Sequence, residues 1–316
     1  MAIIDGTEEI LDLDLFGNPI EKKVLLREKY LEPPFSICDT KQGTWQRRRQ
    51  NWKNLGIESE VGREGTDGAH FAGRHRQAER SGKKPAESTQ RILDVGEVSI
   101  FDPALCEILY TWFVDKGGSI LDPFSGGSVR GIVAHYLGWK YVGIDVRQSQ
   151  ITSNKIQGEK ILDKDNQPKW IFGDSNKILD TMIDGKEANQ LEEFDFVFSC
   201  PPYGNLEIYS DQPDDISTLD YPAFLEVYES IIAKSCKLLK QGALACFVVG
   251  EFRDKKGNYV GFVPDTIRAF TKCGMKYYNE AILLNAIGSA SVRANTNMKN
   301  KKLVKVHQNI LVFKKA

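Results

Sequence analysis

An α/β fold around a mostly parallel sheet is what this sequence predicts, and three observations predict it. Apolar runs of strand length alternate with amphipathic stretches of helix length from residue 91 onward. Two of the predicted strands end in loops punctuated by Gly or Pro, Asp122–Ser128 and Cys200–Gly204. The last two strands follow one another with no predicted helix between them, which expects an antiparallel hairpin at one edge of the sheet. With 316 residues, 41% hydrophobic and 27% charged, the chain has the material for a sizeable buried core.

The elements are predicted in the following order. Residues 1–30 carry two short alternating apolar stretches, read as a hairpin around Gly17-Asn18. Residues 31–90 form a different texture, rich in Arg, Gly and Ser. From Lys41 to Gln90 there are eleven bases against six acids, in a chain whose net charge is −1. This asymmetry divides the chain into a basic N-terminal extension, 1–90, and a second domain, 91–316.

Within that domain 101–117 reads as a helix, with Pro103 suited to its first turn and Gly117 to its C-terminal end. Strand 119–124, helix 128–138, strand 140–146, helix 148–164 and strand 169–175 come next. Then follow strand 194–204, a long helix 221–242, strand 243–252, helix 263–274, and the strands 276–288 and 306–315.

Composition excludes several classes. Forty-two Lys and Arg against 43 Asp and Glu rule out a whole-chain basic footprint, so a polyanion must be met by a local patch. No apolar run approaches the ~18 residues of a membrane span. Acids come early and no basic segment precedes an apolar stretch, so no secretory signal is expected. The six cysteines contain no C-x-x-C pair, which predicts reduced thiols in a cytoplasmic protein. The four histidines do not combine with them into a ligand pattern, and no metal is expected. Oligomeric state is not legible.

Three motifs carry chemistry. In Ile120–Gly131 a strand ends in Asp-Pro-Phe and a turn with Gly126 and Gly127 opens a helix. Glycines there let a backbone approach a ligand at the carboxyl edge of the sheet, or simply make a tight turn. About twenty residues on, Asp145 ends the next strand, where an acid accepts from ribose hydroxyls or favours a helix N-terminus. Together they point to an adenosyl-type ligand. Asp174 ends the third strand, facing an adenine amine or capping a helix. Finally, Phe194–Asn205 delivers Cys200-Pro201-Pro202-Tyr203 to the same edge. Two prolines remove two N–H donors and leave carbonyl acceptors, and Tyr203 offers a flat ring. This suits the amino edge and face of a planar base; a rigid Pro-Pro turn is the simpler alternative.

In this order the motifs resemble those of the S-adenosylmethionine-dependent methyltransferases that modify exocyclic amines of DNA bases, adenine N6 or cytosine N4. That family carries Asp-Pro-Phe-x-Gly-x-Gly and [Asp/Asn/Ser]-Pro-Pro-[Tyr/Phe/Trp]. Here they read Asp122-Pro123-Phe124-Ser125-Gly126-Gly127-Ser128 and Cys200-Pro201-Pro202-Tyr203. The start of helix 101–117 is similar to the family's cofactor-side motif, with Phe101 and Pro103 as markers, and 305–315 is similar to its closing strand.

The resemblance covers 91–316. It implies a Rossmann-like methyltransferase fold, a mostly parallel seven-stranded sheet with an antiparallel edge hairpin, and the cofactor S-adenosylmethionine. It implies cofactor contacts from Phe101, Pro103, Asp122, Pro123, Phe124, Ser125, Gly126, Gly127, Asp145 and Asp174. Catalysis falls to Cys200, Pro201, Pro202 and Tyr203, DNA is the partner, and restriction–modification is the expected setting.

Two positions depart from the pattern: Ser128 replaces the last glycine, and Cys200 stands where an Asp, Asn or Ser is usual. Other readings therefore stay open. They are C5-pyrimidine methylation with Cys200 as nucleophile, amine methylation of RNA or protein, and a nucleic-acid-binding protein without catalysis. Ser199 is a second candidate acceptor should the strand end differently. For DNA contact the expected residues are Trp45, Arg47, Arg48, Arg49 and Trp52, which combine charge with stacking, and Arg293. His70, Arg74, His75 and Arg76 in a Gly-rich loop and Lys299–Lys302 are further phosphate candidates, and 206–215 is expected as a flap over the pocket.

Overall fold

The structure, a computed structural model, describes residues 25–58, 101–188, 193–204, 215–285 and 290–316. The Gly17-Asn18 hairpin, the loop carrying His70 to Arg76, and the flap apart from Asp215 lie outside the described residues. The chain divides into two units, Met1–Pro34 and Phe35–Ala316. In the first, helix α1 (Leu26–Tyr30) is followed by an ion pair between Arg27 and Glu32 at 3.2 Å. Leu26 thus opens a helix where a strand was expected.

The second unit is built on one eight-stranded sheet. In chain order its elements are β1 (Ile37–Asp39), α2 (Gly43–Asn54), α3 (Pro103–Phe113), β2 (Ser119–Asp122), α4 (Val129–Tyr136), β3 (Lys140–Asp145), α5 (Gln148–Ile161), β4 (Lys169–Phe172) and α6 (Ser175–Glu187). There follow β5 (Phe194–Ser199), a single 3₁₀ turn (Ile216–Thr218), α7 (Tyr221–Lys237), β6 (Leu239–Val249), α8 (Phe262–Lys272), β7 (Met275–Leu284), α9 (Ala290–Lys299) and β8 (His307–Lys315).

The strand order is β1-β7-β8-β6-β5-β2-β3-β4. Every pairing is parallel except those of β8, which runs antiparallel to both β6 and β7. The seven strands from β4 to β7 are the Rossmann-like methyltransferase sheet that the motifs imply. The eighth corrects the expectation in two ways. Strand β1 pairs in parallel with β7, Cys38 opposite Leu283, so the β7–β8 hairpin is not the sheet's edge. Residues 35–58, expected in a separate extension, also belong to the same unit as the sheet.

Successive strand residues face opposite sides of the sheet, and each side is covered. Ile120, Phe196 and Phe198 face α3, where Tyr110 packs edge-on against both phenylalanines. Their neighbours Leu121, Val197, Phe247 and Phe313 join Phe224, Tyr228 and Phe270 in the core on the other side. At ~1.5–3 kcal/mol for each large apolar side chain fully buried, these two layers supply most of the gross stabilisation.

Besides α1 and α2, helices α6 and α9 were not expected from sequence. Strands β2 and β5 are adjacent, yet the chain leaves β2 toward β3 and β4 on one side and later returns by β5 toward β6 on the other. The topological switch point therefore lies between the C-terminal ends of β2 and β5, where such sheets hold their ligands.

Candidate active site

A cleft of about 680 Å³ opens at that switch point. Its first wall is the loop after β2. Gly126 has φ +49°, the left-handed region that glycine enters without strain. Asp145, at the end of β3, fixes this loop: Oδ2 accepts from the Gly126 N–H at 3.0 Å and Oδ1 from the Arg147 N–H at 2.8 Å. Burial holds the Asp145 carboxyl above its ordinary range, and the Arg147 guanidinium at 3.9 Å only partly opposes this. A half-desolvated carboxylate with remaining lone pairs is suited to accept from ribose hydroxyls.

Behind the loop lies a row of side chains with no obvious signature in the sequence. Arg147 donates to Gln150 (2.7 Å), Gln150 to Asn154 (2.9 Å), and Asn154 to the Gly126 carbonyl (2.8 Å). Their helical spacing of three and four is the signal that could have found them. Ser128, the departure from the glycine pattern, has φ −69° and needs no glycine. Its hydroxyl donates to Gln157 at 2.7 Å and ties the turn to α5.

Of the residues expected to touch a cofactor, Phe101, Pro123, Phe124, Gly126, Asp145 and Asp174 line the cleft. Asp174 also caps α6, its carboxylate accepting from the Asn176 N–H at 2.8 Å. Pro103, Asp122, Ser125 and Gly127 do not line the cleft. Pro103 is buried in the first turn of α3. Ser125 is fully buried, its N–H donated to the Ile144 carbonyl at 2.9 Å. Gly127 continues the turn beyond the lining residue Gly126.

Asp122 is fully buried and its oxygens are taken by Arg130 (2.5 Å), Tyr141 (2.7 Å), Ser199 (2.6 Å) and the Phe124 N–H (3.1 Å). Burial works against the Arg130 charge, but Asp122 outweighs it and the guanidinium stays above its ordinary range. Arg130 also donates to the Phe124 and Ser125 carbonyls and lies 4.7 Å from the Phe101 ring centroid. Asp122 is thus the anchor of the loop rather than a ligand contact.

The facing wall is the end of β5. Ser199 is fully buried and committed to Asp122, so it does not serve as the alternative acceptor. Cys200 is the first residue beyond the strand, and Cys200, Pro201, Pro202 and Tyr203 all line the cleft. Tyr203 is held from three sides. Its hydroxyl accepts from Gln308 of β8 at 2.6 Å, its ring packs 5.5 Å from that of Phe262, and Gly250 leaves it room. Glu251 lies beside it at the cleft and caps α8, accepting from the Gly261 and Phe262 N–H groups at 2.9 Å each. Gln308 and Glu251 were missed because nothing in the sequence places β8 and the α8 cap against the Pro-Pro turn.

Of the residues expected to contact DNA, four are turned to the protein's own α3 region. Trp45 and Trp52 are buried, with no face open to a base. Trp45 donates to Asp102 at 2.8 Å and Trp52 to Glu107 at 3.0 Å. Arg49 pairs with Asp102, and Arg48 with Glu107 at 2.8 Å. These groups dock α2 on α3. Arg47 remains exposed, and Arg293 lies on the cleft lining.

No protein-family model and no curated protein sequence matches the chain. Among solved structures it is similar to TrmN from Thermus thermophilus, at 12% identity and a TM-score of 0.43 over 68% of this chain and 49% of that one. The match thus spans about half the length of TrmN. It is also similar to a TehB-like SAM-dependent methyltransferase from Corynebacterium glutamicum (17% identity, TM-score 0.40, 79% and 98% covered). A third is the magnesium protoporphyrin IX methyltransferase of Synechocystis, with bound SAM (13% identity, TM-score 0.41, 77% and 91% covered). At these scores the reading of the site rests on its own geometry.

Proposed function

We propose that this protein is an S-adenosylmethionine-dependent methyltransferase acting on the exocyclic amine of a nucleic-acid base, in DNA, with adenine N6 ahead of cytosine N4. One observation carries the reading: the Gly126–Asp145 cradle and the Cys200–Tyr203 turn line a single cleft. The cradle fits the nucleoside half of the cofactor. Asp145 has acceptor capacity for the ribose, Phe101 and Phe124 offer apolar surface, and Asp174 supplies an acceptor for the adenine amine.

When bound, S-adenosylmethionine supplies an electrophilic methyl group. The chain's own residues do the rest. A base amine is a poor nucleophile because its lone pair is shared with the ring. Acceptors on its two N–H bonds restore that lone pair and meet the positive charge that develops on nitrogen. The Pro201 carbonyl is the stronger of two such acceptors here; the Cys200 thiol is a weak one. Tyr203, fixed through its hydroxyl and its ring contact, stacks on a base swung out of the helix. Holding donor and acceptor at near-attack distance then contributes much of the rate.

The test is methyl transfer from isotope-labelled cofactor to single- and double-stranded DNA, followed by mass analysis of the nucleosides. Methylated adenine N6 is expected. Label at cytosine C5 would assign Cys200 as a nucleophile instead, and label in RNA or protein alone would move the substrate. The absence of any incorporation into DNA overturns the proposal.

A further inference from the structure

Between β7 and β8 the chain makes helix α9 and the segment leading out of it, and these carry basic residues with no acid among them. From residue 281 to 316 there are seven Lys or Arg and no Asp or Glu. Helix α9 buries only Ala290. Such a helix gains little from packing on its own fold, which marks a surface that awaits a partner. Among the described residues, Arg293, Lys299, Lys301 and Lys302 enter no ion pair. Three exposed apolar side chains, Val292, Met298 and Leu303, sit among these cations.

The turn after β6 adds to the same surface. Arg253 and Tyr259 form an isolated antiparallel bridge, and the Arg253 guanidinium lies 3.8 Å from the Tyr259 ring centroid. The Lys305 amine approaches that ring at 6.0 Å. Lys302 packs over Gly257 at the tip of the turn, where an added Cβ would meet its amine. Lys255 and Lys256 stand exposed beside it, with Asp254 the one acid of that tip. Tyr259 is 49% exposed, and Arg253, Tyr259, Arg293 and Lys305 all line the cleft that holds the Pro-Pro turn.

We propose that α9 with residues 299–305 and the 253–259 turn form a saddle at the cleft mouth that grips the backbone phosphates of a DNA strand, with Tyr259 stacking on a base beside the extruded one. The inference rests on the methyltransferase reading, because it uses that cleft as the destination of the base. The occupant follows from charge and shape. Cations without counter-acids fit a polyanion, and an aromatic ring set among them fits a strand of stacked bases. Arg253, Tyr259, Arg293 and Lys305 line a concavity, a shape that fits a strand rather than the plane of a lipid surface.

The experiment compares the wild-type chain with Lys299→Gln/Lys301→Gln/Lys302→Gln and with Lys255→Gln/Lys256→Gln. Fluorescein-labelled single- and double-stranded DNA is titrated over a salt series, with the thermal midpoint as the check on folding. Each lysine that no longer neutralises a phosphate lowers the slope of log K against log salt by ~0.9 for duplex and ~0.7 for single strands. The triple variant is therefore expected to show a slope smaller by about two to three such steps and an affinity about tenfold or more weaker at low salt. A Lys→Arg triple variant should restore both.

Unchanged affinity and slope in a folded triple variant overturn the saddle. So does binding to phosphatidylserine vesicles that the triple variant abolishes while DNA binding is kept. If DNA methylation occurs while the triple variant binds normally, the saddle falls and the methyltransferase reading stands. If DNA is held through these lysines but no methyl group reaches any substrate, the saddle stands and the reading falls.

Discussion

Helices α2 and α9 look alike in the sequence and differ in what the fold does with them. Both are short, basic and free of acids: GTWQRRRQNWKN against ASVRANTNMK with Lys301, Lys302 and Lys305 following. In α2 two of the arginines and both indole N–H groups are spent on Asp102 and Glu107 of the α3 region. In α9 and the residues after it no acid lies within the tract, and two of its cations, Arg293 and Lys305, line the cleft. The difference teaches that a basic helix is read by its counter-charges. Asp102 and Glu107 lie more than fifty positions from the residues they hold, so no local pattern could reveal that these arginines were already engaged.

The comparison can be broken by mutation. The largest effect is expected at Trp45, which is 2% exposed. Trp45→Ala removes a buried ring and leaves an Asp102 oxygen short of a donor, at a cost of about 3–5 kcal/mol. Chemical denaturation measures it. The DNA affinity of the folded fraction should not change; a large loss would return α2 to the nucleic-acid surface. Asp102→Asn comes next. It weakens an acceptor of the Trp45 indole, the Arg49 guanidinium and the Ala104 N–H, and about 1–3 kcal/mol of stability should go with it. By contrast Val292→Ser in α9, at a side chain 77% exposed, should stay within about 0.5 kcal/mol of wild type.

The same contrast separates two acids that end adjacent strands. Asp122 is saturated by four donors, and Asp145 keeps capacity toward the cleft. Asp145→Asn is therefore expected to weaken S-adenosylmethionine binding by about tenfold or more, ~1.4 kcal/mol or above, read by calorimetry. On stability two effects oppose each other: the amide has one acceptor oxygen for the Gly126 and Arg147 N–H groups where the carboxylate has two, and it removes an ionisation that burial disfavours. The folded-state pKa of Asp145 lies above its ordinary value, so the native state binds that proton more tightly than the unfolded chain. Its ionisation thus subtracts stability as pH rises through the window between the ordinary and the raised value, and the amide removes that cost. Asp145→Asn should therefore be more destabilising at acid than at neutral pH, and a destabilisation that grows with pH would contradict the raised pKa.

Much of the fold is legible in the sequence because it is local. Alternating runs mark the strands, and the glycine and Pro-Pro turns mark the cleft's two walls. What is not legible is set by contacts across the sheet. Strand β1 is three residues long and is a strand only because β7 offers an open edge. Asp122 matches a motif position, yet whether it meets a ligand or an arginine depends on Arg130 turning back onto it. The hold of Gln308 on Tyr203 joins residues 105 positions apart.

A small effect on binding is expected at His307, which lines the cleft on the α9 side. Burial lowers its pKa, and the neighbouring Lys305 lowers it further. The imidazole is therefore neutral at pH 7, and the surface charge there comes from Lys305 and Arg293, against Glu251 across the cleft. Affinity for DNA should be flat from about pH 7 to 8 and rise only as the pH falls below the ordinary histidine value of ~6.5. The gain is that of a single screened cation at a partly open site, below ~1 kcal/mol, or a few-fold in Kd. His307→Gln should abolish the acid-side rise and leave the neutral-pH affinity unchanged. An affinity that falls steadily from about pH 6 to 8 in the wild type would mean that an imidazolium contributes at neutral pH, and the burial argument for this side of the cleft would fail.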